Sequence, residues 1–577
     1  MTRIATGRAD HVRSIVPHEF DLVIKDGMVI DGMGNQRQRT DVAIRDGRIA
    51  RVGRTAAGDA AEVIDATGLI VAPGFIDLHT HYDAQVFWDP YLTTSGWHGV
   101  TSVVTGNCGF GFAPVKPEQR ERAMRSMTAV EAIPTQTLRA GLPWNWESFP
   151  EYLDAVERTP LAVNVLPYVP VNPLLIWVLG IDDAKAGRKP TTAENAEMAR
   201  LLDEALDAGA CGWSAQCLGK PGQSEGRFPQ GDFDGSPMPS DIMWPDTRMA
   251  LAKVLGQRGA GFMQASGVSD AEVEKLVEVS GRPFIWQAVV ANQLTMYYKT
   301  RLEWLRRCRE RGLPIYGQAM TVDAPIHFTL ANESILDRSP LARVHAEPSV
   351  KGKLAILADE SFRNEMREYR PIVFNTFDEM KLHRTTSTAF ADYVGQSLGR
   401  IAQQRGVTAV DVLCDASIAD SLDAVFESQQ FQTTLEGIGE LIDDPYLIPG
   451  LSDGGAHLNF LTSGCYGTEY IARYVRDHQM TTLEAAHWRL SGLPAHCAGF
   501  TDRGVIRTGA AADVIVYDLD RLAYGDTEFV HDLPAGQMRA IVRASGYRSI
   551  IVNGRATIDD GRETGEMAGR LLRHGRA

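Results

Sequence analysis

The sequence predicts an α/β protein: a (β/α)8 barrel of the TIM type, with a composite β-sandwich domain formed by the N- and C-terminal segments. Three observations carry this prediction. Short apolar strands alternate with helical stretches through the middle of the chain, eight such strands can be counted, and strand-and-turn patterns occur at both ends. Strict alternation over this length is typical of a parallel sheet, and eight strands suffice to close it into a barrel.

The N-terminal segment, residues 21–72, is predicted to consist of short strands separated by tight turns. Asp-Gly at positions 26–27 and 46–47 lies between apolar pairs, and this pattern is a strong hairpin signal. The same pattern returns near the C-terminus. We therefore expect a composite β-domain of residues 20–72 and 500–565, built from both ends of the chain.

The middle of the chain, residues 73–499, is predicted to form the barrel, with helices such as 191–208 between its strands. The eight candidate strands are 73–78, 100–105, 162–168, 210–216, 261–265, 283–287, 314–318 and 446–452. Residues 332–370 interrupt the alternation after the seventh strand. Their prolines and a charged helical stretch predict an insertion that acts as a lid or subdomain.

Composition narrows the class of protein. The 577 residues are 44% hydrophobic and 23% charged, as expected for a soluble globular chain. A net charge of −15 argues against a nucleic-acid partner, which needs clustered Lys and Arg. No apolar run reaches the roughly 18 to 20 residues of a membrane span, and no signal peptide is evident, so we expect a cytoplasmic protein without a membrane partner. The sequence leaves open whether the chain forms a homo-oligomer.

His79 and His81 follow the first candidate barrel strand and are candidate metal ligands. Side chains two residues apart on a strand point to the same side, so both rings can reach one cation. Taken alone, a His-x-His pair is equally well explained by two structural histidines. An acidic motif far downstream, Ser452-Asp-Gly-Gly-Ala-His457, favours the metal site.

Polar side chains also end most of the other candidate strands. Active sites of barrels of this type lie at the C-terminal ends of the strands. The residues at such ends are His79, His81, Cys108, Gln216, Gln264, Gln287, Gln318 and Asp453. We expect the functional site among them.

Three motifs in this order resemble the amidohydrolase superfamily: the His-x-His after Pro-Gly, the segment Val104-Thr-Gly-Asn-Cys-Gly-Phe110, and the segment 452–457. Within that superfamily they resemble the N-acyl-D-amino-acid deacylases, also called D-aminoacylases, and the resemblance extends over about residues 20–560. It implies a metal-dependent hydrolase that acts on carbon–nitrogen bonds other than peptide bonds.

The resemblance also implies roles for individual residues. His79 and His81 would bind zinc, Cys108 would be a ligand or a bridge, and Asp453 would be the base and a further ligand. A zinc-bound thiolate is chemically reasonable, because the metal stabilises the deprotonated form. Apart from the resemblance, His457 follows Asp453 by four residues and would position it or stabilise the oxyanion, and a packed structural histidine is an equal alternative.

The chain departs from the family pattern at the fifth and sixth strands. Gln264 and Gln287 stand where the family has histidines, and Val289 stands where it has a lysine that pairs with the substrate carboxylate. An amide oxygen is a much poorer zinc ligand than imidazole. We therefore expect one zinc ion rather than two, with the two glutamines at second-site or substrate positions.

The expected substrate is a small molecule with an amide bond, first of all a linear N-acyl amino acid. Trp286, near a predicted strand end, is a candidate contact for an apolar acyl group. A cyclic amide or imide is the second candidate. Two further alternatives are a non-hydrolytic metal-assisted reaction and a barrel that binds a ligand without turnover. Product analysis separates them, because hydrolysis must release a free amine and an acid.

Overall fold

The structure is a computed structural model that describes residues 18–219, 231–293, 296–322, 325–331, 339–369, 376–429 and 433–575. Of the predicted insertion 332–370, residues 332–338 and 370 lie outside the described part. Across the described ranges, every helix is too short or too polar to cross a bilayer.

Strands and helices alternate through the middle of the chain, and strands gather at both ends. The strands are β1 (Phe20–Val29), β2 (Gln38–Arg45), β3 (Arg48–Val52), β4 (Ala60–Asp65), β5 (Ile70–Pro73), β6 (Phe75–Asp77), β7 (Val100–Thr105), β8 (Asn164–Pro167), β9 (Val169–Pro170), β10 (Gly212–Gln216), β11 (Phe262–Ser266), β12 (Phe284–Val289), β13 (Ile315–Met320), β14 (Ile326–Phe328), β15 (Lys381–Arg384), β16 (Val425–Ser428), β17 (Leu447–Gly450), β18 (Val514–Tyr517), β19 (Ala523–Leu533), β20 (Gln537–Ser545), β21 (Tyr547–Val552), β22 (Arg555–Asp559) and β23 (Arg562–Glu563).

The α-helices connect and cover these strands. They are α1 (Arg120–Glu131), α2 (Thr135–Gly141), α3 (Phe149–Glu157), α4 (Val171–Leu179), α5 (Ile181–Ala186), α6 (Thr192–Ala208), α7 (Pro245–Arg258), α8 (Asp270–Ser280), α9 (Tyr297–Glu310), α10 (Ala342–Ala346), α11 (Val350–Ala358), α12 (Glu360–Glu368), α13 (Leu398–Arg405), α14 (Ala409–Ala419), α15 (Leu435–Asp443), α16 (Tyr466–Glu469), α17 (Leu483–His487) and α18 (Leu493–Cys497). The segments Tyr470–Asp477 and Trp488–Gly492 are π-helical.

Each of the eight candidate barrel strands corresponds to a strand of the structure. β6, β7 and β8 form one parallel sheet, and β9, β10, β11, β12, β13 and β17 form another. Only Tyr168 separates β8 from β9, and its N–H donates to the Thr105 carbonyl at 2.9 Å. At the far side, Thr80 pairs in parallel with Gly454. The pattern of pairing is therefore two parallel sheets in contact at both sides, and full closure into one barrel stays a prediction.

Strands from the two ends of the chain share one sheet of nine strands. Its order is β23-β22-β21-β18-β5-β1-β2-β3, with β4 paired to β1, so β18 from the C-terminal segment pairs with β5 from the N-terminal segment. β19 and β20 pair separately as a hairpin. The sandwich arrangement and the bounds 20–72 and 500–565 stay predictions.

The residues after β13 form a separate apolar cluster. It is built around the antiparallel sheet β14-β16-β15 and contains Phe328, Leu382 and Phe426. Because strands and helices from 326 to 428 contribute to it, this cluster is larger than the predicted insertion 332–370. We call the segment 326–428 the insertion. Phe460 and Leu461, which follow β17, pack into the same cluster.

Candidate active site

The loop after β6 fixes His79 and His81 in place. The preceding strand is fully buried, and the Asp77 carboxylate accepts a hydrogen bond from the His79 N–H at 3.0 Å. The His81 N–H donates to the Gly454 carbonyl at 2.7 Å, which ties this loop to the one after β17. Both imidazoles are almost completely buried. The backbone thus positions both histidines at the edge of the parallel sheets.

Four predicted site residues converge at this edge, and we call His79, His81, Cys108 and Asp453 the strand-end cluster. His79 Nε2 lies 3.1 Å from Asp453 Oδ1 and 3.6 Å from Cys108 Sγ. His81 Nε2 lies 3.7 Å from the same Asp453 oxygen. One ligand atom from each of His79, His81 and Cys108 lies within 4.8 Å of the others, so one ion can reach all three.

The loops that present these side chains adopt unusual backbone conformations. Cys108, Asp453 and His457 have φ values of 57°, 47° and 56°, in the left-handed region that side-chain-bearing residues rarely adopt. Gly106, just before the cysteine loop, has φ 78°, and a Cβ there would lie 2.8 Å from the Tyr168 carbonyl oxygen. Such conformations persist where surrounding packing imposes them, and they concentrate at functional sites.

Gln264 and Gln287, the two glutamines expected at second-site or substrate positions, both contact Cys108. Gln264 Oε1 accepts a hydrogen bond from the Cys108 N–H at 2.9 Å, and Gln287 Nε2 donates to Cys108 Sγ at 3.1 Å. Among the described residues, Gln264 Nε2 and Gln287 Oε1 make no hydrogen bond although both atoms are buried. The glutamines therefore hold the cysteine loop in position.

Glu131 is a site residue that the sequence reasoning missed. Its Oε1 lies 3.4 Å from His81 Nδ1, and its Oε2 lies 4.0 Å from His457 Nε2. Its carbonyl accepts the His457 N–H at 2.6 Å. Glu131 is the last residue of α1, and Ala132 breaks the helix with φ 52°. A glutamate at a helix end is ordinary in sequence, so no local signal marks it.

The charge states in the cluster follow from burial and from neighbouring groups. Partial burial would raise the pKa of Asp453, but His79 and His81 beside it lower this pKa to about 2. Burial and the nearby Asp453 raise the pKa of Glu131 well above its usual range. Burial and His79 lower the pKa of His81 to about 3, and burial raises the pKa of the Cys108 thiol. At neutral pH the cluster thus offers a carboxylate and a neutral imidazole.

The donor set fits a zinc ion. Two imidazoles, a cysteine sulfur and a carboxylate are the ligands that zinc prefers in proteins. His81 turns Nε2 toward Asp453 and Nδ1 toward Glu131, and a carboxylate on the second nitrogen is the usual support of a metal-binding histidine. His79 Nδ1 is buried and makes no hydrogen bond within the described residues.

Trp286 lies away from this cluster. Neighbouring residues of a strand point to opposite sides, so Gln287 faces Cys108 while Trp286 faces α9. Its ring packs 6.1 Å from that of Trp304, and the Arg301 guanidinium lies 5.2 Å from its centroid. The structure thus places Trp286 in packing between sheet and helix rather than beside the strand-end cluster.

A pocket lies next to the strand-end cluster. It encloses about 570 Å³, part of it open to solvent, and Phe110, Phe112, Met127 and Ile176 are among its apolar lining residues. The Phe110 ring also lies 6.4 Å from the His81 ring, so this residue borders both the pocket and the cluster. Phe110 therefore links the lining of this pocket to the strand-end cluster.

Comparison with known proteins gives an independent view of the chain. The profile of the amidohydrolase family matches residues 62–217 and 277–562. An N-acyl-D-glutamate deacylase of Alcaligenes xylosoxydans xylosoxydans is 30% identical over 568 residues, which cover 96% of this chain and 97% of that protein. A D-aminoacylase of the same organism is 27% identical over 559 residues, with the same coverage of 96% and 97%.

A solved structure shares the fold. The N-acyl-D-glutamate deacylase of Bordetella bronchiseptica, crystallised with zinc and a phosphonate that mimics the tetrahedral intermediate, superimposes with a TM-score of 0.61. The alignment covers 96% of this chain and 100% of that one, at 24% sequence identity.

Proposed function

Because the chain belongs to the amidohydrolase family, and within it to the N-acyl-D-amino-acid deacylases, we propose that it hydrolyses the amide bond of an N-acyl amino acid. It is a hydrolase of carbon–nitrogen bonds. The observation that carries the substrate proposal is the convergence of His79, His81, Cys108 and Asp453 at one edge of the parallel strands, next to an apolar pocket.

The strand-end cluster would hold one zinc ion. His79 and His81 would bind it through Nε2, and Cys108 and Asp453 would complete the set. Zinc bound there would lower the pKa of a coordinated water and polarise the carbonyl group of the substrate. Gln264 and Gln287 both contact Cys108, and an amide is a poorer zinc ligand than imidazole, which supports one ion rather than two.

Asp453 would accept the proton of the attacking water and pass it to the leaving nitrogen. Its low pKa keeps it ionised at neutral pH, and 23% of its side-chain surface is exposed, so substrate can reach it. Hydrolysis then balances: the C–N bond breaks, the acyl carbon gains the hydroxyl, and the nitrogen gains the proton that Asp453 took.

His457 would bind the carbonyl oxygen of the substrate. Burial lowers the pKa of its ring, so the ring is neutral and carries one N–H to donate. The ring stacks on Phe460 with centroids 5.4 Å apart, which fixes its orientation, and 14% of its side chain is exposed. A donor held in advance at the point where negative charge develops stabilises the transition state.

The pocket beside Phe110 would receive the acyl chain. Its lining is mainly apolar, which favours an aliphatic or aromatic acyl group over a charged one. Because the relatives are named as deacylases of N-acyl-D-amino acids, D-amino acids are the first amine portion of the substrate to test. We also propose that residues 73–499 close into one barrel and that the protein is located in the cytoplasm.

The test is hydrolysis of a panel of N-acyl amino acids by the full chain loaded with zinc. The panel pairs D with L amino acids and short with long acyl groups, and free amine and free acid are both quantified. We expect equal amounts of the two products and a preference for apolar acyl groups. Protein that holds zinc but opens only cyclic amides, or releases no amine, would refute the proposal.

A further inference from the structure

The insertion carries a second group of metal-ligating side chains, His327 on β14, His383 on β15 and Glu427 on β16, which we call the insertion cluster. In this antiparallel sheet β16 is the middle strand. His327 lies directly opposite Glu427, so their side chains project from the same face. The pairing of β15 with β16 shifts register between Leu382 and Arg384, and such a bulge re-aims the residue within it, here His383.

The three side chains meet at distances that suit a metal ion. Glu427 Oε2 lies 3.5 Å from His327 Nε2 and 3.4 Å from His383 Nδ1. The ligand atoms of all three residues lie within 4.8 Å of one another. In a tetrahedral zinc site with bonds of about 2.0–2.1 Å, neighbouring ligand atoms are roughly 3.3–3.4 Å apart. The distances from Glu427 to the two histidines are close to this value without any rearrangement.

His327 lacks the partner that a buried imidazole normally has. Its side chain is only 3% exposed, and within the described residues neither ring nitrogen makes a hydrogen bond. Its approach to Glu427 Oε2 lacks hydrogen-bond geometry. Buried polar atoms in folded proteins are nearly always paired, and a cation between His327 and Glu427 would supply the missing partner.

The surroundings of the insertion cluster also suit an ion. Lys381 Nζ binds the other Glu427 oxygen, Oε1, at 2.8 Å, which turns Oε2 toward the histidines. The centroids of the His327 and Phe529 rings lie 6.2 Å apart with the ring planes at 90°, so Phe529 covers one side of the insertion cluster. His383 is 38% exposed, which leaves an entry path from solvent.

We propose that the insertion cluster binds a zinc ion that joins the three strands of the insertion sheet. Imidazole nitrogens with one carboxylate favour zinc over magnesium or calcium, which prefer oxygen ligands alone. Three protein ligands leave a fourth position on the exposed side for water. The ligands are far apart in the chain, so the ion would cross-link segments that only the fold brings together. This site does not depend on the proposed function of the strand-end cluster.

The ion would also brace the loop that carries His457. The His327 N–H donates to the Phe460 carbonyl at 3.0 Å, and the Phe460 ring stacks on His457. Zinc at the insertion cluster would therefore fix β14 against the segment that follows Asp453. We expect its loss to loosen the insertion first, with a smaller effect on turnover.

The test counts zinc per full-length chain after chelator treatment, reloading with Zn²⁺ and gel filtration. We expect about two zinc ions in the wild type and about one in His383→Ala. The double variant His79→Ala/His81→Ala should also hold about one, and adding His383→Ala to it should leave none. His478→Ala replaces an exposed histidine outside both clusters and should change nothing. Circular dichroism establishes that each variant is folded.

Each outcome decides the proposal. Loss of one ion with His383→Ala in either background supports it, and this loss is read independently of whether the strand-end cluster binds metal. An unchanged zinc content in folded His383→Ala refutes it, as does a folded His79→Ala/His81→Ala protein without zinc. If the double variant fails to fold, wild type is compared with His383→Ala alone, with circular dichroism as evidence of folding, and the loss or retention of one ion decides in the same way.

Discussion

The strand-end cluster and the insertion cluster offer similar candidate ligands on different backbones. The first takes its side chains from loops after parallel strands, and Cys108 and Asp453 adopt left-handed conformations there. The second takes His327 and Glu427 from directly paired residues of an antiparallel sheet. The difference suggests that ligands held on strained loops leave room for substrate, whereas ligands held by regular pairing serve to join strands.

The carboxyl groups near the two clusters also differ in charge. Glu131 is buried, and burial together with the nearby Asp453 and Asp83 raises its pKa well above its usual range. Glu427 lies between the His327 and His383 rings and the Lys381 ammonium, which hold its pKa well below its usual range. The pKa of the carboxyl group beside the strand-end cluster is thus raised, and the pKa of the carboxyl group in the insertion cluster is lowered.

The largest expected effect is on kcat, which a substitution in the strand-end cluster should lower far more than a matched substitution in the insertion cluster. Asp453→Asn removes the group proposed to carry the proton, and losses of about 10²- to 10⁴-fold in kcat are typical for such a change. Glu427→Gln changes a carboxylate of the other cluster in the same way and should lower kcat by less than about threefold. Steady-state hydrolysis of the best N-acyl amino acid measures both.

Asp392→Asn, an exposed aspartate of the insertion, is the control and should behave as wild type. Equal losses in Asp453→Asn and Glu427→Gln would remove the functional distinction between the clusters.

The next effect concerns stability and pH in zinc-free protein. The unfolded chain ionises Glu131 near pH 4.5, before the folded chain does, so this residue lowers the free energy of unfolding as pH rises above that value. Glu131→Gln should therefore raise Tm by about 1–3 °C at about pH 8 and leave it unchanged at about pH 4. Differential scanning calorimetry across this range gives the slope.

Glu427→Gln should show the opposite sign. The lowered pKa of Glu427 means that its contribution is present above pH 4.5 and is lost as pH falls below it. The variant should have a lower Tm than wild type at about pH 8, and the deficit should shrink in acid. Parallel pH slopes for the two variants would contradict the contrast in charge.

The sequence predicts those features of the fold and the site that depend on short stretches of neighbouring residues. The eight strands are short apolar runs between turns, and His79, His81 and Asp453 lie in motifs next to strands, so their convergence follows from strand order. Trp286 shows the limit of that reasoning, because its neighbour Gln287 faces the cluster and strand alternation then turns the tryptophan away.

Tertiary packing decides the rest. Glu131 is an ordinary helix-end glutamate until the loops of His81 and His457 bury it. The insertion cluster joins residues from three strands far apart in the chain, one of them placed by a bulge that the sequence does not mark. Register between distant strands, not composition, brings these ligands together.

The smallest expected effect tests how the strand-end cluster is supported. Gln287 donates to Cys108 Sγ at 3.1 Å, as Lys381 binds Glu427 in the insertion. Removing such an outer contact typically weakens metal binding or activity by about 10- to 100-fold. Because Gln264 still accepts the hydrogen bond of the Cys108 N–H, we expect Gln287→Ala to weaken zinc binding by an amount near the lower end of this range, about 10-fold. Zinc affinity by competition with a chelator, together with kcat, provides the measurement.

Gln318→Ala is the matched control. It removes a glutamine equally buried on the adjacent strand β13, whose side-chain atoms make no hydrogen bond within the described residues. A loss confined to Gln287→Ala would assign the effect to the contact with the cysteine. Equal losses in both variants would assign it to packing of the parallel sheet, and the strand-end cluster would then depend on its loops alone.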